Sequence, residues 1–207
     1  MKSFFSLFFK SFKELKNIRC VAITGLLVAI SMVIEMYSID FQFFKINFAF
    51  IAISAIGMLY GPTVGFMAGL ACDIVGYMVH PSGGFLLAYV IVGGLQGLIY
   101  GICLYHKADR HSIMYVNNLT NKSTDITLYL RAVIARLLDV IVINLLIQTK
   151  LNLHYGFINA DTYGAAIVAR ISKNVIELVA DIPLLFVVLP VVLMAYKRIG
   201  SLRKATN

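Results

Sequence analysis

The sequence predicts an all-α integral membrane protein, with six transmembrane helices in a compact bundle, both termini in the cytoplasm and an amphipathic segment at the N-terminus. Two observations predict this class. Of the 207 residues, 60% are hydrophobic and only 14% are charged, whereas about a quarter of the residues in a soluble domain are charged. The apolar residues also fall into segments of membrane-spanning length separated by polar stretches, so no large soluble domain fits beside them.

Residues 1–17 form the predicted amphipathic segment. Phenylalanines recur at helical spacing with lysines between them, which predicts a basic helix lying on the cytoplasmic membrane surface. These residues are Phe4, Phe5, Phe8, Phe9 and Phe12, with Lys2, Lys10, Lys13 and Lys16. A disordered basic leader is the alternative. Because Lys10 interrupts the apolar run and no small-x-small site follows, the segment is not expected to be a signal peptide.

The predicted six-helix membrane domain covers residues 18–198 and begins with three closely spaced spans. Span 1 covers 18–37, a short span 2 covers 46–60, and span 3 covers 63–79 after a tight turn at Gly61-Pro62. In span 1, the small residues Ala22, Gly25 and Ala29 would let another helix approach closely. That helix belongs either to a partner protein or to the same chain.

Three further spans complete the predicted bundle. Span 4 covers 85–105, span 5 covers 126–151 and span 6 covers 163–196, followed by a basic tail at 199–207. Pro183 and Pro190 are expected to kink span 6. Glycines at four-residue spacing in spans 3 and 4 predict faces that pack tightly against a neighbour. These are Gly61, Gly65 and Gly69 in the first and Gly93, Gly97 and Gly101 in the second.

The basic residues predict the orientation of the bundle. They lie before span 1, in the linker 106–125 and after span 6, and six spans place these three groups on one side. Lys and Arg accumulate in cytoplasmic segments, so this side is the cytoplasm and the loops at 38–45, 80–84 and 152–162 are external. The net charge of +8 therefore reports orientation in the cell membrane, and no nucleic-acid partner is expected.

Ionisable residues inside a membrane are costly and each is a functional candidate. Arg170, Lys173, Asn174, Glu177 and Asp181 share one face of span 6, while Asn144, Gln148 and Asn152 share a face of span 5. Two polar stripes that converge under external loops predict a cavity for a polar, anionic small molecule with a hydrogen-bonding ring. The predicted binding residues are Glu35, Asp40, Lys45, Asp73, His80, Asn144, Gln148, Arg170, Lys173, Asn174 and Glu177.

The alternative interpretation of these polar residues is that they pair between or along helices. Arg136 with Asp139, and Lys173 with Glu177, have spacings that allow such pairs. We favour this structural role for the inner group of Arg131, Arg136 and Asp139, and the ligand site for the outer group.

The sequence does not carry the common motifs of an enzyme. There is no G-x-x-x-x-G-K-[ST], H-E-x-x-H, G-x-S-x-G or C-x-x-C, and the three cysteines have unrelated spacings that predict neither a metal site nor a disulfide framework. The chain is therefore not expected to hydrolyse ATP or to hold a cofactor. If it moves a solute uphill, it needs an ion gradient or a separate motor. A small intramembrane enzyme using Asp139, Glu177 or Asp181 and a structural adaptor are the alternatives.

A set of short phrases runs along nearly the whole chain. In order they are Lys45-Ile46-x-Phe48-x-Phe50, Gly57-Met58-x-Tyr60-Gly61-Pro62-x-x-Gly65, Asp73-Ile74-x-Gly76, Pro81-x-Gly83-x-Phe85, Gly97-Leu98-Ile99-Tyr100-Gly101, Asn144, Tyr155-Gly156, Arg170-x-x-Lys173-Asn174 and Pro183. In this set, and over roughly 18–193, the chain resembles the folate-specific substrate-binding subunit, or S component, of energy-coupling factor (ECF) transporters.

This resemblance implies a vitamin-binding protein of the bacterial plasma membrane. Such subunits bind the vitamin from outside, under the loops after spans 1 and 3, and dock on a transmembrane coupling protein with two cytoplasmic ATPases, which use the ATP. The whole subunit then topples in the membrane to release the vitamin inside. The resemblance places the contact with the coupling protein on the span 1 small-residue motif, which Gly25 and Ala29 match.

The chain departs from the folate pattern at two places near the expected pocket. After Gly83 it reads Gly84-Phe85-Leu86-Leu87-Ala88 in place of the usual aromatic, Pro-Gly and Phe-Thr, and a run with Trp near Asn144 is absent. Folate is therefore the expected vitamin, with a pyridoxine-type or pantothenate-type compound as the alternative.

Overall fold

The fold is described from a computed structural model, which describes residues 2–36, 39–41, 44–46, 49–79, 84–105, 126–158 and 163–206. The elements, in order, are helices α1 (Lys2–Glu14), α2 (Ile18–Met36), strands β1 (Ile39–Phe41) and β2 (Phe44–Ile46), helices α3 (Ala49–Tyr60), α4 (Pro62–Val79), α5 (Leu87–Leu104) and α6 (Ile126–Leu138), a π-helical segment (Asp139–Ile147), and helices α7 (Gln148–His154) and α8 (Tyr163–Thr206). The described residues thus form helices and one short β hairpin, with short connecting segments.

Several helices in the described part of the chain are long and apolar enough to cross a membrane. Three meet this description, Pro62–Val79, Leu87–Leu104 and Tyr163–Arg198, and a fourth span results if the bent pair Ser6–Glu14 and Ile18–Val33 is counted as one. A shorter apolar helix covers Phe50–Tyr60. These helices confirm the predicted all-α membrane class, while the count of six spans and the cytoplasmic position of both termini stay predictions.

The segment predicted as a plain loop before span 2 contains an antiparallel hairpin. Ile39 pairs with Ile46, Asp40 with Lys45, and Phe41 with Phe44. Apolar and charged residues alternate in both strands, which suits a two-stranded ribbon and not a helical turn. Consequently the helix begins at Ala49 and not at the predicted position 46.

Predicted span 5 contains a feature that its periodicity did not reveal. The middle of the span, Asp139–Ile147, is π-helical, and the α-helix resumes at Gln148. The wider turn of a π-helix is frequent at functional sites, and this one carries Asp139 and Asn144. Helix α8 continues through Pro183 and Pro190, and the kinks expected at these prolines stay a prediction.

The two glycine faces predicted in spans 3 and 4 pack against each other. A Cβ atom on Gly97 would collide with the main-chain carbonyl of Gly65, and a Cβ on Gly69 would collide with that of Gly93. Main chain therefore meets main chain along the α4–α5 contact, which only residues without a side chain allow. We call this contact, formed by Gly65, Gly69, Gly93 and Gly97, the glycine seam.

Helix α1 lies across the turn between α3 and α4, at 86° to α2. The buried Ser11 hydroxyl donates to the carbonyl of Tyr60 (2.7 Å) and accepts from the amides of Thr63 (3.0 Å) and Val64 (3.2 Å). Ser11 thus satisfies main-chain groups at the start of α4, as a capping residue does, although it comes from another helix. Gly61 makes the tight turn possible with a φ of 89°.

Candidate ligand-binding cavity

A cavity of about 570 Å³ lies within the bundle. Its size falls in the range of small-molecule sites, about 300–1,000 Å³. Residues of α2, α3, α4, α5, α6, the π-helical segment, α7 and α8 line it, together with those just before α5 and just after α7. The lining includes Glu35, Phe50, Asp73, Tyr77, Phe85, Tyr89, Gln96, Arg136, Asn144, Gln148, Phe157, Lys173 and Glu177. Charged, amide and aromatic side chains therefore face one space.

Two carboxylates form an acidic wall of the cavity, and glycines make room for both. A Cβ on Gly76 would lie 3.3 Å from Oε2 of Glu35, and a Cβ on Gly93 would lie 3.2 Å from Cβ of Asp73. A side chain at either glycine would crowd the carboxylate beside it. The acidic wall can accept hydrogen bonds from donor groups of a ligand.

A second wall, on the π-helical segment, α7 and α8, is of mixed charge. Lys173 pairs with Glu177 (3.4 Å), as its spacing predicted, and both side chains line the cavity. The Asn144 side chain donates to that of the buried Asn174 (3.4 Å). This wall offers a cation, a carboxylate and amides, which can bind both donors and acceptors of a polar ligand.

The floor of the cavity is a buried ion cluster centred on Arg136. Its guanidinium pairs with Asp139 (2.6 Å) and with Asp181 (2.5 Å), and lies 4.4 Å from the centroid of the Phe50 ring. Gln96 donates to the same Asp139 oxygen at 3.0 Å. The Arg136–Asp139 pair was predicted from spacing, and the structure adds Asp181 from α8 to it.

The ion cluster contains two carboxylates and one guanidinium. All three side chains are almost fully buried. Buried charges need partners to offset the loss of hydration, and the other Asp139 oxygen, Oδ1, has no hydrogen-bond partner within the described part of the chain. Arg136 is therefore occupied by Asp139 and Asp181 and is not available as an anion site.

The structure brings more than half of the predicted binding residues together. Those that line the cavity are Glu35, Asp73, Asn144, Gln148, Lys173 and Glu177. Arg170 is not in the lining; its guanidinium instead donates to the main-chain carbonyl of Asn144 at 3.2 Å. Asp40 and Lys45 are main-chain partners in the hairpin register, and His80 lies outside the described residues.

Several lining residues were not predicted from the sequence. Gln96 carried a usable signal, because it is a polar side chain within an otherwise apolar span. Phe50 and Phe85 were named only in the phrases that carry the family resemblance. Tyr77 and Phe157 carried no signal, since aromatic side chains are common throughout this chain. Only the folded bundle shows which of them face the cavity.

The small-residue face of α2 is exposed on the described part of the chain. Ala22, Gly25 and Ala29 are all exposed, and a Cβ on Gly25 would meet nothing within 4 Å. Within the described residues, no helix of the same chain packs against Gly25, which favours a partner protein over the intramolecular interpretation of this motif. The face is free to contact another protein or lipid.

Comparison with solved structures gives a similar protein. A crystal structure described as FolT bound with folic acid superposes with a TM-score of 0.62 and 28% sequence identity, covering 80% of this chain and 91% of that one.

Curated relatives include two proteins named folate transporter FolT. The protein from Clostridium novyi (strain NT) is 24% identical over 94 residues, 45% of this chain and 55% of the relative. The protein from Leuconostoc mesenteroides subsp. mesenteroides is 26% identical over 94 residues, 45% of this chain and 50% of the relative. The chain spans about half the length of these curated relatives.

The family comparison covers most of the chain. The model of the ECF-type riboflavin transporter S component matches residues 15–189, from the residue after α1 to the residue before Pro190 in α8. This match includes every described element that lines the cavity. The chain belongs to the family of ECF-type riboflavin transporter S components.

Proposed function

We propose that this chain is the substrate-binding S component of an ECF-type transporter and that its substrate is folate. The observation that carries the proposal is the polar cavity inside a bundle that superposes on FolT bound with folic acid. The two curated relatives named folate transporters support the same substrate.

The chemistry of the cavity suits the three parts of folate. The carboxylates of Glu35 and Asp73 can accept from the amino and ring N–H donors of the pterin. Aromatic side chains such as Tyr77 and Phe85, whose rings lie 5.1 Å apart, can pack against flat rings. Lys173 can bind a carboxylate of the glutamate tail.

Transport further requires partners that this chain does not contain. We propose that it docks on a transmembrane coupling protein with two cytoplasmic ATPases in the bacterial cell membrane, and that those ATPases use the ATP. The exposed α2 face with Ala22, Gly25 and Ala29 supports this, because close helix packing between membrane proteins uses small residues. The chain itself is proposed to act without catalysis and without a cofactor.

The substrate proposal is tested by purifying the protein in detergent without ATP. Mass spectrometry of small molecules released by denaturation should identify a folate, and calorimetric titration of emptied protein should show binding of folic acid. A pyridoxine-type or pantothenate-type compound in the released fraction would overturn the substrate. Turnover of the released molecule by the protein alone would overturn the transport function.

Riboflavin is the second candidate, because the matching family is named for it. Riboflavin shares with folate a flat heterocycle with an N–H donor but lacks the anionic glutamate tail. Competition distinguishes the two: if folate is the substrate, folic acid should displace bound riboflavin, whereas riboflavin should not displace folic acid. The visible absorbance of a bound flavin in the purified protein would favour riboflavin.

Docking is tested separately from binding with Gly25→Leu. The added side chain would enter the open space over Gly25, so folic acid binding should be unchanged while uptake into cells that carry the partner subunits is lost. Gly164→Leu is the matched control, because this glycine of α8 also has open space around it. If uptake is unchanged in Gly25→Leu, the docking face lies elsewhere on the protein.

A further inference from the structure

We infer that Asn152 is a positioning residue that holds the mouth of the cavity closed over the bound vitamin, the mouth being the end where the exposed Phe85 and Phe157 line the cavity. It lies on α7, and no part of the proposed function assigns it a role. Its side chain joins α5 to α8, and its main-chain carbonyl shapes the turn that brings Phe157 to the cavity. The inference rests on the proposed function for the identity of the ligand.

The Asn152 amide lies between the Tyr89 hydroxyl and the Arg170 guanidinium. With its oxygen turned towards Arg170, it accepts from the guanidinium, while its NH2 group donates to the Tyr89 hydroxyl and to the Gln148 carbonyl (3.3 Å). This orientation satisfies the donors and acceptors on both sides. One side chain thus connects three helices.

Arg170 continues the connection into the π-helical segment. Its Nη1 atom donates to the carbonyl of Asn144 at 3.2 Å, and the buried Thr149 hydroxyl donates to the same carbonyl at 3.2 Å. The resulting chain of hydrogen bonds runs from Tyr89 through Asn152 and Arg170 to Asn144. Both ends of this chain line the cavity.

The main chain of Asn152 organises the adjacent turn. Its carbonyl accepts from the amides of Phe157 (2.9 Å) and Ile158 (3.2 Å), and Gly156 takes a φ of 75° that favours glycine. Phe157 lines the cavity although 63% of its surface is exposed. Its position at the cavity therefore depends on where Asn152 is held.

These contacts predict an effect on ligand release in particular. A vitamin inside the cavity can leave past the α5–α7–α8 side only if Tyr89, Asn152 and Arg170 separate. Once the amide is lost, Arg170 and Tyr89 have no common partner, and the mouth opens more often. Dissociation should become faster, whereas association, which starts from an open mouth, should change little.

The decisive variants are Asn152→Leu and Asn152→Asp. Leucine removes the amide, and we expect folic acid to dissociate about tenfold faster, the effect of roughly one lost hydrogen bond to a charged group, with the association rate within about threefold of wild type. Aspartate can accept from both Arg170 and Tyr89, so it should restore slow dissociation. Equal dissociation rates in wild type and Asn152→Leu would overturn the inference.

A double variant tests whether Tyr89 acts through Asn152. Tyr89→Phe should speed dissociation in the wild-type background and add little in the Asn152→Leu background, because the hydrogen bond is already lost. Tyr155→Phe is the matched control, since its ring lies only 6.4 Å from that of Tyr89 but no role is assigned to its hydroxyl. Full additivity of the two changes would contradict a shared connection.

Hydrogen exchange in the unliganded protein separates this inference from the substrate proposal. Asn152→Leu should raise deuterium uptake at 155–158 and at the start of α5, and leave the glycine seam unchanged. If wild type binds no folic acid, the substrate proposal fails, and the exchange data still decide the role of Asn152. Unchanged exchange at 155–158 would then overturn it.

Discussion

The glycine seam and the ion cluster hold neighbouring helices together in opposite ways. At the seam, Gly65 and Gly97 let the α4 and α5 backbones touch, and no side chain takes part. At the cluster, the Arg136 side chain spans the gap to Asp139 and Asp181. The seam depends on the absence of side chains at single positions, whereas the cluster depends on the attraction of one guanidinium for two carboxylates.

This difference has a consequence for the cavity. The seam fixes the wall that carries Asp73, because Gly93 leaves room for that side chain, while the cluster fixes the floor. The stability lost through a substitution at the seam cannot be restored by changing a second side chain elsewhere. The stability lost through a substitution in the cluster can be restored if the remaining charges are removed as well.

The largest effect is expected from Arg136→Met. The variant leaves Asp139 and Asp181 buried without a cation, which typically costs about 3–5 kcal/mol. The midpoint of thermal unfolding in detergent should fall accordingly, or the protein should fail to accumulate. An unfolding midpoint close to that of wild type would show that water reaches these carboxylates.

The triple variant Arg136→Met, Asp139→Asn and Asp181→Asn is the control for this prediction. It removes all three charges and keeps similar shapes, so most of the lost stability should return. A triple variant as unstable as the single one would show that the individual hydrogen bonds of the cluster, and not its charge balance, stabilise the fold.

The next largest effect is expected from Gly97→Ala in the seam. The new methyl group would collide with the Gly65 carbonyl. Because the nearest atoms belong to the main chain of Gly65 and Phe66 and cannot rotate away, the two helices must separate. We expect a loss of roughly 1–3 kcal/mol, typical of overpacking. Gly164→Ala is the matched control: nothing lies within 4 Å of that position, so the helix should gain slightly from losing a glycine. Equal unfolding midpoints for the two variants would contradict the close contact.

The same comparison shows why one region was predictable and the other only in part. Glycines four residues apart in a membrane helix mostly serve close packing, so the sequence predicted packing faces at Gly65, Gly69, Gly93 and Gly97. The spacing did not indicate which helices would pack there. The structure answers this by packing the two predicted faces on each other.

In the cluster, only local spacing could be read. Arg136 and Asp139 are three residues apart, so their pairing was predicted, whereas Asp181 lies 45 residues from Arg136 and needs the packed bundle to reach it. Arg170 illustrates the same limit, because its position on a polar face indicated a ligand contact but could not show the Asn144 carbonyl beside it. Periodicity reports which face a residue takes, and the partner on that face comes from tertiary packing.

A moderate effect is expected from Ser11→Ala, which removes the hydrogen bonds between α1 and the start of α4. The variant removes one donor and one acceptor, and leaves the amides of Thr63 and Val64 without the Ser11 oxygen. The loss should be about 1–2 kcal/mol, as for a helix cap. Ser172→Ala is the control, since its exposed hydroxyl bonds only within its own helix. Similar unfolding midpoints for both variants would mean that α1 contributes no capping to α4.

The smallest effect on stability is expected from single tryptophan substitutions in α1, which test its predicted position on the membrane surface without changing the fold. The chain has no Trp, so Phe9→Trp and Phe12→Trp each introduce a single tryptophan, which can be excited selectively, at a largely exposed position, 63% and 54% respectively. In vesicles of phosphatidylcholine and phosphatidylglycerol, both tryptophans should emit at shorter wavelength than free tryptophan in water and be quenched by brominated lipid chains, because an amphipathic helix buries its apolar face at the headgroup boundary.

Lys10→Trp provides the matched comparison on another side of α1, since Lys10 is also exposed, and its quenching by brominated chains should be weaker. Lowering the phosphatidylglycerol content should reduce the quenching at Phe9 and Phe12 if the lysines bind anionic headgroups. The structure supplies the reason to expect this contrast: Ser11 turns one side of α1 towards the α3–α4 turn, which leaves the two phenylalanines facing away from the bundle. Equal quenching at all three positions would mean that α1 has no preferred face towards the membrane, and that only the Ser11 contact holds it in place.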